Sequence, residues 1–199
     1  MSPRFKPPSS ELPTIAAWRH VDARDGFEVV FLRRAREGYE VTGHSVAVEG
    51  GVGWSVRYAI TLDSGWTTRS ARVSGISGAG VHEVRVEGDG SGSWLIDGVE
   101  SPQLGGCFDV DLEASAFTNA LPVNRLRLDV GGSADAPAVY VRAAGLDVER
   151  LEQRYSRLPD DAGQHRYDYV SPAFDFRAVL VYDRFGLPLD YPGIAVRVL

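Results

Sequence analysis

Across residues 54–62 the chain alternates without a break. Trp54, Val56, Tyr58, Ile60 and Leu62 are apolar, and Ser55, Arg57, Ala59 and Thr61 stand between them. A period of two puts every second side chain on one face of an extended strand, whereas a helix would scatter the same residues around its axis. The run therefore predicts a strand with one face in a core and the other in water. Comparable segments recur at 27–37, 39–48, 66–74, 81–87 and 93–97, and again at 125–130, 138–142, 166–170, 174–182, 187–190 and 194–199. Apolar runs followed by helices, as βαβ units require, are missing, so the expected class is all-β with an almost entirely antiparallel sheet.

The turns fit that reading. Glu37-Gly38 separates two strands, Asp63-Ser64-Gly65 makes a hairpin in which Gly65 is expected at positive φ, and Asp183-Arg184-Phe185-Gly186 makes a tight reversal. The loop Gly88-Asp89-Gly90-Ser91-Gly92 lacks the Lys-Ser/Thr of a phosphate cradle and precedes no helix, so it reads as a hairpin tip. Residues 174–182 are apolar on both faces at Val179, Leu180 and Val181, which suits a strand inside the sheet. One short helix is expected at 115–121, opened by Ser115 and stopped before Pro122. Residues 147–158 carry both a helical and an alternating spacing, and strand is expected for most of them.

A chain of 199 residues that is 44% hydrophobic can bury a single core without a staple. Pro3, Pro7, Pro8 and Pro13 mark residues 1–13 as an extended or disordered lead-in, leaving 14–199 as one domain. A formal net charge of −6 argues against a nucleic-acid partner, which demands a basic stripe. Lys6 is the only lysine. The lone Cys107 cannot close an internal disulfide, no apolar leader opens the chain, and no stretch reaches the length of a membrane span. The expected compartment is the bacterial cytoplasm. His20, His44, His82 and His165 are scattered without metal-ligand spacing, so no metal and no cofactor are expected.

Residues 107–112, Cys-Phe-Asp-Val-Asp-Leu, alternate like a strand with Asp109 and Asp111 on one face, roughly 6.5 Å apart. Such a pair admits three uses: a charge ladder against Arg125 and Arg127, a grip on a ligand's polar head, or acid/base work on a glycoside. Carboxylate neighbours disfavour a Cys107 thiolate, so this thiol reads as a small buried residue.

These residues carry a resemblance. Trp66-Thr67-Thr68-Arg69, Gly92-Ser93-Trp94, Gly106-Cys107-Phe108-Asp109-Val110-Asp111-Leu112, Phe117-Thr118-Asn119-Ala120-Leu121-Pro122, Gln153-Arg154-Tyr155 and Asp190-Tyr191-Pro192-Gly193 together resemble the bacterial family named Putative glycolipid-binding. The resemblance runs from about Trp18 to Pro192. It implies a spiral β-roll, a long antiparallel sheet wound around one short helix, with a shape similar to lipoprotein carriers that hold acyl chains. It implies a homodimer as well, which the unpaired edges of an open sheet also favour.

The leading expectation is a non-catalytic binding protein for an amphiphile such as a glycolipid, its hydrocarbon held in the roll's apolar interior. Trp66, Arg69, Trp94, Asp109, Asp111, Asn119 and Tyr155 are the candidate ligand-binding residues. Aromatic faces stack on sugars, and arginine, carboxylate and amide groups bond hydroxyls. Each has a plainer use: core packing for the tryptophans, an internal ion pair for Arg69, a cap or turn for Asn119. The competing readings are a hydrolase acting on a glycoside or ester through Asp109 and Asp111, and a structural or interaction module whose interior is filled. An apolar cavity of about 300 Å³ or more separates binding from the filled module.

Overall fold

The computed structural model describes residues 11–199, so the lead-in expected over 1–13 lies largely outside the described residues. Eight strands follow one another in the first half: β1 (Ile15–His20), β2 (Asp25–Ala35), β3 (Gly38–Glu49), β4 (Val52–Asp63), β5 (Thr68–Ser77), β6 (Gly80–Gly88), β7 (Trp94–Ile96) and β8 (Val99–Glu100). Each pairs antiparallel with the next, with β3 and β4 in unbroken register from Gly38–Asp63 to Glu49–Val52. Alternation decides which face is buried. Val56, Tyr58, Ile60 and Leu62 of β4 all point into the core, as the period of two predicts.

The middle of the chain leaves this meander and lies inside its curve. It comprises β9 (Asp109–Leu112), a 3-10 turn (Phe117–Asn119), the helix α1 (Ala120–Leu126), then β10 (Ser133–Asp135), which returns to pair at the edge of the large sheet, and β11 (Ala138–Val141) and β12 (Val148–Leu151) inside the curve. A second meander completes the molecule: β13 (Arg154–Asp161), β14 (Gln164–Ser171), β15 (Phe176–Tyr182), β16 (Pro188–Tyr191) and β17 (Ala195–Arg197). The terminal strands β1 and β17 pair antiparallel, which joins the two meanders into one 14-stranded sheet in the order β10-β13-β14-β15-β16-β17-β1-β2-β3-β4-β5-β6-β7-β8. The sheet does not close into a barrel. Its edges are β10 and β8, of three and two residues, and strands so short leave little backbone free to pair.

A three-stranded sheet, β12-β11-β9, covers part of the concave side, and its β9–β11 pair is parallel, the one departure from the antiparallel expectation. The interior is packed. Trp18, Val30, Val56, Ile60, Leu62 and Val73 from the sheet meet Leu104, Val110, Leu112, Phe117 and Leu121 from the middle segment. The apolar hollow expected for hydrocarbon is therefore occupied by the chain's own helix and turn. Smaller packing opportunities are used too: the ring of Tyr58 lies over Gly43, where any Cβ would collide with it. A second core of Val123, Tyr155, Tyr167, Tyr169, Leu180 and Tyr182 lies between α1 and the second meander.

Four expectations need correction. Residues 125–130 are no strand: Arg125 belongs to α1, and Arg127 ends it in the left-handed region. The helix does not stop before Pro122 but passes through it. Pro122 is the third residue of α1, within the first turn, where its missing N–H removes no bond the helix needs. Gly65 is not at positive φ; Trp66 is, at φ 70, with Asp63 Oδ1 accepting from the backbone N–H of Gly65 and of Thr67. The strand expected over 174–182 begins only at Phe176, after a 3-10 turn through Phe174, and although it lies inside the sheet Val179 and Val181 stay half-buried because nothing packs fully on their side.

One carboxylate holds the inserted segment in place. Glu28 occupies an inward position of β2, in phase with Val30 and Leu32, and is fully buried. It accepts from Tyr58 Oη at 2.5 Å, from Ser115 Oγ, from the backbone N–H of Ala116 at 2.8 Å and from that of Phe117 at 3.3 Å. The two N–H groups open the turn that leads into α1. Burial pushes the Glu28 carboxyl up from its ordinary range, although all four donors oppose the shift. Glu28→Ala should destabilise the fold by about 3 kcal/mol or more, because four buried donors lose their acceptor, and Glu28→Gln by less, since an amide replaces some of the bonds. Urea unfolding of both variants measures the difference, and equal losses would contradict it.

Candidate functional site

Where the concave covering sheet meets the second meander, a cleft of about 180 Å³ with both polar and apolar walls remains open. Its walls come from separate parts of the chain, with Leu151 of β12 and Ile194 of the β16–β17 turn among the apolar ones. The β1–β2 turn supplies Arg24 and the end of β3 supplies Glu49. Asp111, Glu113, Ser115 and Asn119 come from β9 and the turn after it, Tyr140 from β11, and Tyr169, Ser171, Phe174, Phe176 and Tyr191 from β14 to β16.

Arg24 is buried although its chain neighbours are surface residues. Its Nη2 donates to the backbone oxygen of Glu113 at 2.8 Å, Nη1 lies 3.9 Å from Glu49 Oε2, and the guanidinium stacks over Trp54 at 5.3 Å. Its Nε has no hydrogen-bond partner, and Ser171 Oγ, which is 1% exposed, completes no hydrogen bond of good geometry although the Tyr169 hydroxyl lies beside it. Buried polar atoms are ordinarily satisfied, so two such groups lining one cleft are unusual.

Among the described residues Asp111 has no cation beside it. It accepts from Thr118 Oγ1 at 2.9 Å and from Gln153 Nε2. Burial pushes its carboxyl up to about 6; the two hydrogen bonds pull the other way, and the charges of Asp109 and Glu113 add to the rise. Behind it, Tyr155 Oη donates to Asn119 Oδ1 at 2.9 Å and approaches Gln153 Oε1 at 3.2 Å. Tyr155, Asn119, Gln153, Asp111 and Thr118 thus form one connected network. Burial raises the Tyr140, Tyr169 and Tyr191 hydroxyls, so all three stay protonated at neutral pH.

The seven residues singled out from sequence do not form one site. Asp111 and Asn119 line the cleft, and Tyr155 supports it. Asp109 does not reach it. Both Asp109 oxygens are taken by Arg125, with Nε–Oδ1 at 3.0 Å and Nη2–Oδ2 at 2.6 Å, and burial raises this carboxyl while the guanidinium opposes the shift. The charge ladder is therefore real for Asp109 alone, and it reaches a helix rather than a neighbouring strand. Arg127 takes no part in it, because the end of α1 turns its side chain to the backbone oxygen of Asn124. Asn119 sits at the helix start but caps nothing with its side chain, which faces Tyr155 instead.

Trp66 and Trp94 are core residues. Trp66 stacks on Tyr39 with centroids 4.8 Å apart, and Trp94 Nε1 donates to the backbone oxygen of Cys107 at 2.9 Å. The buried face of Trp94 floors a separate acidic groove of about 610 Å³ with Glu87, Asp89 and Glu100. Arg69 is exposed, its guanidinium lying against Gly90 in the hairpin tip. Cys107 is buried, and burial pushes its thiol up to about 11. His20 is buried against Ser45 Oγ at 2.9 Å, and its pKa is pushed down to about 4 by burial and by Arg24. Among the described residues no group of three or more His, Cys, Asp or Glu is placed to hold a metal ion.

Arg24, Ser171, Tyr169 and Tyr191 escaped the sequence reading. Tyr167 and Tyr169 share one phase of β14, and Tyr191 lies in the Asp190-Tyr191-Pro192-Gly193 motif, so both tyrosines carried a signal. Arg24 and Ser171 carried none, because only the folded chain brings a turn arginine beside the end of β14.

An open rolled sheet wrapped around its own helix, with a cleft at one side, defines the class of this protein. Within that class the chain belongs to the family described as Putative glycolipid-binding, whose model matches residues 15–197. A crystal structure of a DUF1089 family protein from Pseudomonas aeruginosa is similar to it, with 32% identity, a TM-score of 0.72, and coverage of 86% of this chain and 92% of that one. A beta-barrel-like protein of the domain of unknown function DUF1849, from Brucella abortus, aligns over 92% of both chains at 11% identity and a TM-score of 0.48. Among curated proteins none matches the chain. No helix of the described residues is long and apolar enough to cross a membrane.

The two aspartates should answer substitution oppositely. Asp109→Asn leaves Arg125 without its carboxylate and should cost about 3 kcal/mol. Asp111→Asn strands no guanidinium. A carboxyl raised from 3.8 to about 6 stabilises the fold fully only below pH 3.8, and that contribution is lost as pH rises through 6. The Asn variant should therefore match the parent near pH 3.5 and exceed it above pH 6 by at most about 3 kcal/mol, an upper bound because the cleft admits solvent. Denaturant midpoints across pH 3.5–8 follow the difference; a variant weaker than the parent at pH 8 would contradict it.

Proposed function

We propose that this protein binds a glycolipid or a related amphiphile by its polar head, in the cleft between Arg24, Asp111 and Tyr169, and performs no chemistry on it. The observation that carries this reading is the bare Arg24 Nε, a charged donor on a side chain 6% exposed, lining a cleft with no acceptor in reach. Leaving such a donor unbonded costs about 1–3 kcal/mol, and because Nε is closed to solvent a ligand oxygen recovers it by drawing the guanidinium toward the cleft. The cleft is smaller than the roughly 300–1,000 Å³ that encloses a whole drug-sized ligand, so it suits a head group whose hydrocarbon stays outside. Phe174, 43% exposed at the rim, offers an apolar surface there.

The hydrolase reading loses its support with Asp109, since a carboxylate clamped by Arg125 and 2% exposed reaches no substrate. The filled-module reading accounts for the packed roll but gives no use to Arg24 Nε and Ser171 Oγ.

Calorimetric titration with monomeric octyl β-glucoside tests the proposal. The parent should bind, and Ser171→Ala and Arg24→Met should each weaken binding by about tenfold or more, as expected for loss of a buried or charged hydrogen bond. Binding that is unchanged in both variants would refute this site. Assembly belongs to the same reading. Phe27 and Phe31 are 51% and 55% exposed on the outer face of the sheet, with Val46 in register beside Phe27, and a second copy of the chain is the proposed cover. Light scattering should give twice the chain mass, and Phe31→Glu should return it to one; a single-chain mass for the parent at all concentrations would contradict the dimer.

A further inference from the structure

The polar lining of the cleft is lopsided. Three carboxylates, Glu49, Asp111 and Glu113, face one guanidinium, that of Arg24. Part of this charge is already answered. Glu113 accepts from the backbone N–H of Ala143 at 2.7 Å and lies 3.4 Å from Arg142, and Glu49 lies 3.9 Å from Arg24. Asp111 alone has no cationic partner among the described residues, only the Thr118 hydroxyl and the Gln153 amide. Tyr140, Tyr169 and Tyr191 add hydroxyls that remain neutral.

The unused hydrogen-bonding capacity is mixed in kind. Arg24 Nε is a donor only, Ser171 Oγ both donates and accepts, and the spare lone pairs of Asp111 only accept. Hydroxyl groups suit all three, because one can accept from Arg24 while another donates to Asp111. A phosphate or carboxylate brings acceptors alone. It can use Arg24 and Ser171, yet it meets the three carboxylates in a site where water screens poorly. An ammonium group brings donors alone and leaves Arg24 Nε as bare as before.

We propose that the cleft selects by charge, admitting uncharged hydroxyl-rich head groups and excluding anionic ones, with Asp111 as the residue that enforces the exclusion. Resting on the binding site proposed above, this narrows its ligands to neutral sugar-headed amphiphiles and sets aside phospholipids and acidic glycolipids.

Two probes of one size decide it: octyl β-glucoside and octyl β-glucuronide, which differ by a single carboxylate, titrated as monomers at pH 8 into the parent and into Asp111→Asn. The parent should bind the glucuronide about tenfold or more weakly than the glucoside. In Asp111→Asn, expected to fold because no arginine is stranded, that ratio should shrink severalfold. Equal or tighter binding of the glucuronide by the parent would overturn the selectivity and leave the binding site standing. A ratio unchanged by Asp111→Asn would overturn the role given to Asp111. Binding of neither probe would remove the site, and this inference with it.

Discussion

The buried Glu28 carboxylate is the interaction on which the architecture turns. A curved sheet with an apolar concave face would close on itself or gather other apolar matter unless something filled it, and the filling here is the segment from Leu104 to Leu126. Such a segment brings its own unmet groups, above all the first N–H groups of the turn before α1. Glu28 accepts two of them together with Ser115 Oγ and Tyr58 Oη, so one side chain of β2 ties the helix entrance to the sheet. Its raised pKa records the expense of keeping a carboxylate in the core, and the four donors are what make that position tenable.

The cleft follows from how the filling is seated. Pinned at its start by Glu28 and at its end by the Asp109–Arg125 pair, the middle segment does not reach the second meander along its whole length. The gap is lined by whatever the strand ends present: tyrosines from β14 and β16, Arg24 from the first turn, and Asp111 two residues beyond Asp109 on the same face of β9. One strand thus carries two carboxylates of opposite use. Asp109 is spent on holding α1, and Asp111 faces the cleft without a cation. Their separation along the strand is small; what divides them is that α1 passes over one and not the other.

Much of this was legible beforehand. The period of two in 54–62 and in its neighbours gave the strands within a few residues, because the pleat imposes it locally and one face must be apolar. The family resemblance carried the roll and the enclosed helix. Legibility failed where two local signals competed. Residues 125–130 alternate like a strand, yet Arg125 lies in α1 because its guanidinium is needed at Asp109. Pro122 reads as a helix stop, yet the preceding 3-10 turn moves the helix start to Ala120 and makes proline harmless. Glu28 went unread, because the opposite phase of β2, with Phe27, Val29 and Phe31, is just as apolar as its own.

The chain's sequence by itself determined most of the strands, the buried phase of β4 and the membership of the family, since these depend on residues close together or on motifs held in order. The tertiary structure decided which of the candidate residues meet. It separated Trp66, Trp94 and Arg69 from Asp111 and Asn119, and it filled the hollow expected for hydrocarbon. It also brought Arg24 and Ser171, 147 positions apart in the numbering, to the same cleft. The physical reason is the pairing of β1 with β17: the contact that joins the two ends of the chain leaves no local pattern, and it is what sets the β1–β2 turn, with Arg24, beside the second meander.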